Sequence, residues 1–206
     1  MEQTKKDLRP ELTEQQKKSG RIKMLLVLAI CALPMAGSYF TYYVIKPTGR
    51  TNYGALIDPR NYPIPALEAR TLDGKPSGLE AYKGKWIMLQ SGPAACADDC
   101  KKQMFAMRQL RLMQGKEMER IERVWLITDA EPVDTMLIRE YDGMNILRVK
   151  ESVLKAWLPV DAGTSAAEHI YLIDPLGNLM MRFPKNPDPA KVKTDMGKLL
   201  KASAIG

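Results

Sequence analysis

The chain has 206 residues, of which 45% are hydrophobic and 27% charged, and this composition is ordinary for one globular domain with an appendage. Its net charge of +7 is not gathered into a basic helix with interleaved aromatic residues, so we predict no nucleic-acid partner. The single histidine excludes multi-histidine metal catalysis. The sequence also has no glycine-rich phosphate loop, His-Glu-x-x-His motif or Gly-x-Ser-x-Gly motif.

The N-terminal part of the chain predicts a membrane anchor. Residues 1–23 are polar, carry charges of both signs, and are expected to form a short tail. Residues 24–45 then run for 22 positions without a charge, enough to cross a hydrocarbon layer of about 30 Å at about 1.5 Å per residue. A cleaved signal peptide is the alternative, but its apolar region would be shorter, at about 7 to 15 residues. We therefore predict one transmembrane helix at 24–45.

The charges around this segment predict its orientation. Lys17, Lys18, Arg21 and Lys23 come directly before it, and fewer basic residues follow it closely. The tail is therefore expected in the cytoplasm and the rest of the chain on the outer side. In a bacterium this is a single-pass protein of the inner (cytoplasmic) membrane with a periplasmic C-terminal domain. Residues 46–62, rich in proline and glycine, are expected to be a linker, and 63–206 the domain.

Within the domain, strand and helix patterns alternate. In chain order we expect a short β-hairpin and a helical turn (66–85), a buried strand (86–90), a helix (101–121), a buried strand (124–128), a helix (131–141), a short strand (146–149), a short helix (152–158), a two-stranded hairpin (169–174 and 179–183) and an amphipathic helix (189–202). Two buried strands joined by a helix imply a parallel pair with a right-handed crossover. The predicted fold class is α/β.

Two cysteines follow the first buried strand. Cys96 and Cys100 come after a Gly-Pro turn, at the expected start of a helix and at the mouth of the sheet, a position suited to soft-metal or redox chemistry. In an oxidising compartment the same pair could instead form a static disulfide without a further role. Cys31 lies in the apolar segment and is interpreted as a packing residue. Asp129 and Glu131, after the second buried strand, are interpreted as caps of the helix expected near Pro132.

These features resemble the Sco/SenC family, membrane-tethered thioredoxin-like proteins that help deliver copper to cytochrome c oxidase. The matching features are the N-terminal anchor, the strand entry at 84–89 (GKWIML), the cysteine pair with three residues between, 127–129 (ITD) and the hairpin 171–177 (YLIDPLG). The resemblance covers roughly residues 63–202. It implies a thioredoxin-like three-layer fold with an N-terminal β-hairpin extension, preceded by one transmembrane helix.

The resemblance also implies a site and a partner. The metal would be Cu(I), held by Cys96 and Cys100 with His169 as a third ligand, and the partner would be the cytochrome c oxidase subunit that carries a copper site. Cu(I) prefers thiolates and imidazole and tolerates two or three ligands. The family usually has prolines beside the cysteines, which are absent here, and places its histidine earlier, nearer to Ala166. His169 could alternatively be a strand-end residue at the surface or in the core.

The surrounding residues leave three functional hypotheses. Met104 and Met107 could offer thioethers to copper, but in a chain with 13 methionines we interpret them as core residues. The helix start and two following lysines would favour the thiolates of the cysteine pair, whereas Asp98 and Asp99 would oppose them. We favour a non-enzymatic oxidase-assembly protein whose CxxxC dithiol binds Cu(I), reduces the recipient's cysteines, or both. The alternatives are a metal-free periplasmic thiol-disulfide reductase, in which the pair is catalytic, and a non-catalytic assembly scaffold.

Overall fold

The computed structural model describes residues 14–45 and 52–205. The chain divides into two compact units, with the boundary between residues 50 and 51. Parts of three predicted segments lie outside the described residues: positions 1–13 of the tail (1–23), positions 46–51 of the linker (46–62) and position 206 of the domain (63–206). Each unit is described here by itself.

The described part of the first unit, residues 14–45, is one long helix. α1 (Glu14–Phe40) continues into a π-helical turn (Thr41–Ile45), where the Thr41 hydroxyl donates to the carbonyl of Gly37 at 2.8 Å. All of its described residues are exposed. Within 14–45 and 52–205 it is the one helix that is long and apolar enough to cross a membrane. The helix contains the predicted span and also residues 14–23 of the predicted tail.

The second unit is built on a seven-stranded mixed sheet. Its strands in chain order are β1 (Ala55–Leu56), β2 (Arg70–Thr71), β3 (Trp86–Gly92), β4 (Ile121–Ile127), β5 (Met144–Arg148), β6 (Tyr171–Ile173) and β7 (Leu179–Arg182). Their order across the sheet is β1-β7-β6-β3-β4-β5-β2. The pairs β3–β4 and β4–β5 are parallel, whereas β6 and β7 run antiparallel to their neighbours. The predicted parallel pair of buried strands is confirmed, as is the hairpin of β6 and β7.

Helices cover both faces of the sheet and produce three layers. They are α2 (Asp98–Leu112), α3 (Thr135–Glu140), α4 (Glu151–Trp157) and α5 (Pro189–Ala202). Because successive strand residues point to opposite faces, Met88 of β3 packs with α2 and α5, whereas Leu89 packs with α4. β3 is buried along its whole length. The chain therefore has the three-layer thioredoxin-like fold that the resemblance implied.

Two helices begin or end at residues other than those expected. α2 ends at Leu112 instead of reaching 121, because Gly115 has a positive φ of 59° and a short 3-10 turn (Gly115–Arg120) follows. α3 begins at Thr135, where the Asp134 carboxylate accepts the N–H of Met136 at 2.9 Å. The prediction that Asp129 and Glu131 cap this helix was therefore wrong.

The sheet also includes residues that precede 63, the predicted start of the domain. β1 pairs with β7, and the buried Asp195 carboxylate accepts the N–H groups of Tyr53 and Gly54 at 2.7 and 3.0 Å. A Cβ at position 54 would lie 2.6 Å from the sulfur of Met181, so any other residue there would force this buried side chain to move. The second half of the predicted linker is thus part of the sheet edge.

The predicted N-terminal hairpin is present as a tight turn with one strand in the main sheet. The Thr71 N–H donates to the carbonyl of Lys75 at 2.9 Å, and Arg70 forms an antiparallel bridge with Pro76. β2 itself pairs with β5 at the sheet edge. A 3-10 turn (Leu79–Tyr82) then leads into β3, as expected.

Candidate functional site

The candidate site forms where β3 passes into α2. β3 ends at Gly92, a turn over 93–97 follows, and α2 begins at Asp98 with Ala97 as its N-cap. The N–H of Cys96 donates to the carbonyl of Ala94 at 2.8 Å, which fixes the turn. No side chain caps the helix at Ala97. The amino end of α2, with its partly unsatisfied N–H groups, therefore lies directly beside the cysteine pair.

Cys96 and Cys100 are joined in a disulfide, with their Cα atoms 5.3 Å apart. Both residues are half-buried, so one side of the disulfide faces solvent. The other side packs on an apolar cluster that includes Ala94, Met104 and Trp125. Two of the three site residues predicted from the sequence are thus brought into direct contact.

Asp129 holds the turn that carries Cys96. Its two carboxylate oxygens lie 3.2 and 3.1 Å from the N–H of Ala94, which donates to them. Arg148 in turn donates to the carbonyls of Asp129 and Glu131, each at 2.7 Å. Sequence reasoning placed Asp129 at the carboxyl end of a parallel strand, where functional residues of such sheets collect, but assigned it to the wrong partner.

Gln90 of β3 lies under the first turn of α2. It is fully buried, and its side-chain N–H donates to the carbonyl of Cys100 at 3.4 Å. Its side-chain oxygen has no hydrogen-bond partner among the described residues. A buried amide in a strand that is otherwise mostly apolar is the sequence signal that could have identified this support for Cys100.

His169 lies two residues before β6 and is fully buried, and both of its ring nitrogens form hydrogen bonds. Nδ1 donates to the carbonyl of Phe183 at 2.9 Å, so that Nε2 is free to accept from the Thr164 hydroxyl at 2.7 Å. A 3-10 turn (Ala166–Glu168) precedes His169, and its ring lies edge-on to Tyr171 with centroids 6.1 Å apart. The structure therefore gives His169 two protein partners other than the cysteines.

A third sulfur lies beside the disulfide. Sδ of Met104 is 3.9 Å from Sγ of Cys96, and Met104 is 1% exposed. Within the described residues, no group of three or more His, Cys, Asp and Glu side chains is arranged to hold a metal. The soft donors near Cys96 are therefore sulfurs, and the signal for Met104 in the sequence is its spacing of four residues from Cys100.

The charges around the pair are exposed and of both signs. Asp98 and Asp99 occupy the first turn of α2, and Asp99 forms an ion pair with Lys102 at 3.1 Å. On the inner side, Tyr141 donates to the carbonyl of Lys101 at 3.2 Å, and burial raises the pKa of this tyrosine. The charged side chains of the first turn of α2 thus lie at the exposed rim of the site, above a mostly apolar cluster.

A cavity of about 150 Å³ lies on the other side of the Gly92–Pro93 turn. Its lining includes Ser91, Pro93, Thr128, Leu154 and Ala167. Two larger cavities, of about 250 and 500 Å³, lie near residues 59–65 and are not lined by either cysteine. None of these three cavities is lined by Cys96 or Cys100, so the disulfide does not lie inside any of them.

These features define a thioredoxin-like α/β protein with a half-exposed cysteine pair at the amino end of its first core helix. The chain belongs to the family described as transmembrane-like, thioredoxin-like, C-terminal domain, which matches residues 86–203. The matched region contains the cysteine pair, β3 to β7 and all of α5. No curated protein matches the sequence.

Solved structures of the same fold include Sco proteins and a thiol-disulfide oxidoreductase. Copper-bound yeast Sco1 is 15% identical, with a TM-score of 0.52 over 74% of this chain and 91% of that chain. A SCO1/SenC family lipoprotein from Bacillus anthracis is 22% identical, with a TM-score of 0.51 over 70% and 99%. The thioredoxin domain of a Bacteroides vulgatus thiol-disulfide oxidoreductase is 20% identical, with a TM-score of 0.50 over 66% and 94%. The resemblance to Sco/SenC proteins is thus confirmed in the fold.

Proposed function

We propose that this protein is a membrane-anchored, Sco-like assembly protein whose Cys96–Cys100 pair alternates between disulfide and dithiol. In the dithiol form the pair holds Cu(I), and the recipient is the copper site of a cytochrome c oxidase. The observation that carries this proposal is the disulfide itself, half-exposed at the amino end of α2. The apolar helix α1 and the basic residues before the span support an anchor with the domain on the periplasmic side.

The chemistry requires an electron donor. Reduction of the disulfide takes two electrons and two protons, which a partner dithiol supplies as it becomes a disulfide itself. The reduced pair then has two possible uses. It can bind Cu(I) as thiolates, with release of the thiol protons, or one thiolate can attack a recipient disulfide and the second can resolve the mixed disulfide. Cys96 and Cys100 are the residues that would hold the copper.

Copper titration of the reduced full chain tests this proposal. Cys31 is a free thiol, so every variant is made in a Cys31→Ser background, which also serves as the matched control. The background protein is expected to bind about one tight equivalent of Cu(I), because two thiolates at one helix end form a soft-metal site. Cys96→Ser and Cys100→Ser should each abolish this binding. Unchanged stoichiometry in both variants would remove the site.

A second function, metal-free thiol-disulfide reduction, is favoured by the state of His169. Both ring nitrogens already have protein partners at 2.7 and 2.9 Å, so ligation of copper through Nε2 would require loss of the Thr164 hydrogen bond. A metal-free reductase should transfer electrons to a disulfide substrate and be indifferent to His169→Ala. A dithiol potential far above the approximately −270 mV of thioredoxin would argue against this reductase.

A further inference from the structure

We infer that Met104 is the third ligand of Cu(I), so that Cys96, Cys100 and Met104 form an all-sulfur site. This inference rests on the proposed copper-binding function and assigns its donor set. The observation behind it is the 3.9 Å separation between Met104 Sδ and Cys96 Sγ. A thioether is a soft donor of the kind that selects Cu(I).

The local structure brings the three sulfurs to one place. Cys100 and Met104 lie four residues apart in α2, on the same face of the helix. Cys96 is attached to that face by the turn before α2, as the disulfide with Cys100 demonstrates. The side chains of all three residues meet in the same apolar cluster.

The separation of the sulfurs suits three-coordinate metal. With metal–sulfur bonds of about 2.3 Å, a trigonal MS₃ unit has sulfur–sulfur edges of about 4.0 Å. The Cys96–Met104 pair already has nearly this separation, at 3.9 Å. After reduction, the sulfur of Cys100 must move away from that of Cys96 to reach this separation, and Cys100 is half-exposed and therefore has room on the solvent side.

The surroundings favour Met104 over His169 as the third donor. Met104 packs in a mostly apolar cluster that includes Trp125, and the contact that its sulfur makes among the described residues is with Sγ of Cys96. His169 donates to the carbonyl of Phe183 and accepts from the hydroxyl of Thr164. Copper ligation by either ring nitrogen would break one of these hydrogen bonds. A metal bound through three sulfurs leaves the His169 contacts intact.

Met107 provides a matched control on the same helix. It is also fully buried, at 0% exposure, but it packs in a different cluster with residues of α5 and contacts neither cysteine there. Met104→Leu and Met107→Leu are both volume-conserving core changes, so both variants are expected to fold. Only the first removes a sulfur from the site.

The experiment is X-ray absorption at the copper edge of the reduced, Cu(I)-loaded full chain, in the Cys31→Ser background. We expect three sulfur neighbours in the background protein and in Met107→Leu, and two in Met104→Leu. Competition with a chromophoric Cu(I) chelator should show an affinity loss of at least about tenfold for Met104→Leu, because replacing even a residue that only supports a ligand typically costs about 10–100-fold. Met107→Leu should leave the affinity unchanged.

Selenomethionine labelling gives a second measurement that requires no substitution. A copper–selenium neighbour should appear in the labelled protein, and it should be lost in Met104→Leu but kept in Met107→Leu. A nitrogen neighbour in place of the third sulfur, or no copper–selenium signal, would overturn the inference while the two-cysteine copper site remained. If the background protein binds no Cu(I), the inference and the proposed copper function fail together.

Discussion

Reduction of the Cys96–Cys100 disulfide should lower the free energy of unfolding only modestly. The two cysteines have a sequence separation of 4, so the disulfide closes a very short loop. In the chain-entropy description, closing so short a loop in the unfolded state is worth about 2 kcal/mol at 25 °C. A domain of this size has about 5–15 kcal/mol of stability, and it should therefore stay folded after reduction. A protein that uses both redox states requires this.

The measurement is urea unfolding of residues 52–206, with and without reductant. Reduction should lower the unfolding free energy by about 2 kcal/mol, equivalent to about 4–8 °C in Tm, with little change in the slope against urea. The double variant Cys96→Ser/Cys100→Ser is the control, and it should match the reduced protein within about 1 kcal/mol. By linkage, the disulfide of the folded domain should have a potential about 40 mV lower than the same pair in the unfolded chain.

A much larger effect would contradict the proposed redox role. If reduction unfolded the domain, or removed more than about 5 kcal/mol, the disulfide would be a structural cross-link of the kind found in small secreted domains. The copper and reductase functions would then both lack a folded dithiol form on which to act. The static disulfide left open by the sequence would be the better description.

Two further predictions concern the surroundings of the pair. Asp129→Ala removes the acceptor for the Ala94 N–H and should lower the free energy of unfolding by about 1–2 kcal/mol, with faster amide exchange at Ala94. Asp129→Asn keeps an acceptor and should cost less. Equal stability of the original protein and both variants would refute the role of Asp129 in holding this turn. The Lys185 ammonium, together with the Ser165 N–H, holds the pKa of Glu168 below its ordinary value of 4.5. Lys185→Met should raise the pKa of Glu168 in a carboxyl-carbon NMR titration, because it removes the ammonium that favours the ionised carboxylate. The ion pair stabilises the folded state above the ordinary pKa of Glu168, and this stabilisation is lost as the pH falls through the lowered pKa. An unchanged titration would show that the ion pair has no effect.

The parts of the fold that depend on local signals were predictable from the sequence. α5 occupies Pro189–Ala202 as expected, because Asp188 caps its amino end and Pro189 suits its first position. The hairpin of β6 and β7 follows from Asp174, whose carboxylate accepts the N–H groups of Leu176 and Asn178. In these cases the interacting residues are neighbours in the chain.

The parts that depend on distant contacts were not predictable. The path of the turn before Cys96 is fixed by Asp129, which is 35 residues from its partner Ala94. The direction of His169 depends on the carbonyl of Phe183 in the adjacent hairpin arm, 14 residues away. A single sequence carries no sign of which of several acceptors a donor will find, so the pairings of Asp129 and His169 required the folded structure.

The amino end of α2 imposes two opposing effects on the reduced pair. Its N–H groups and dipole favour thiolates, whereas Asp98 and Asp99 in the first turn place negative charge beside them. Lys102 offsets only part of this charge, because its ion pair with Asp99 is exposed. Since copper binding requires thiolates, the dithiol releases its protons on binding copper and recovers them on release. A third donor that carries neither charge nor proton, such as the thioether of Met104, adds affinity without shifting that balance.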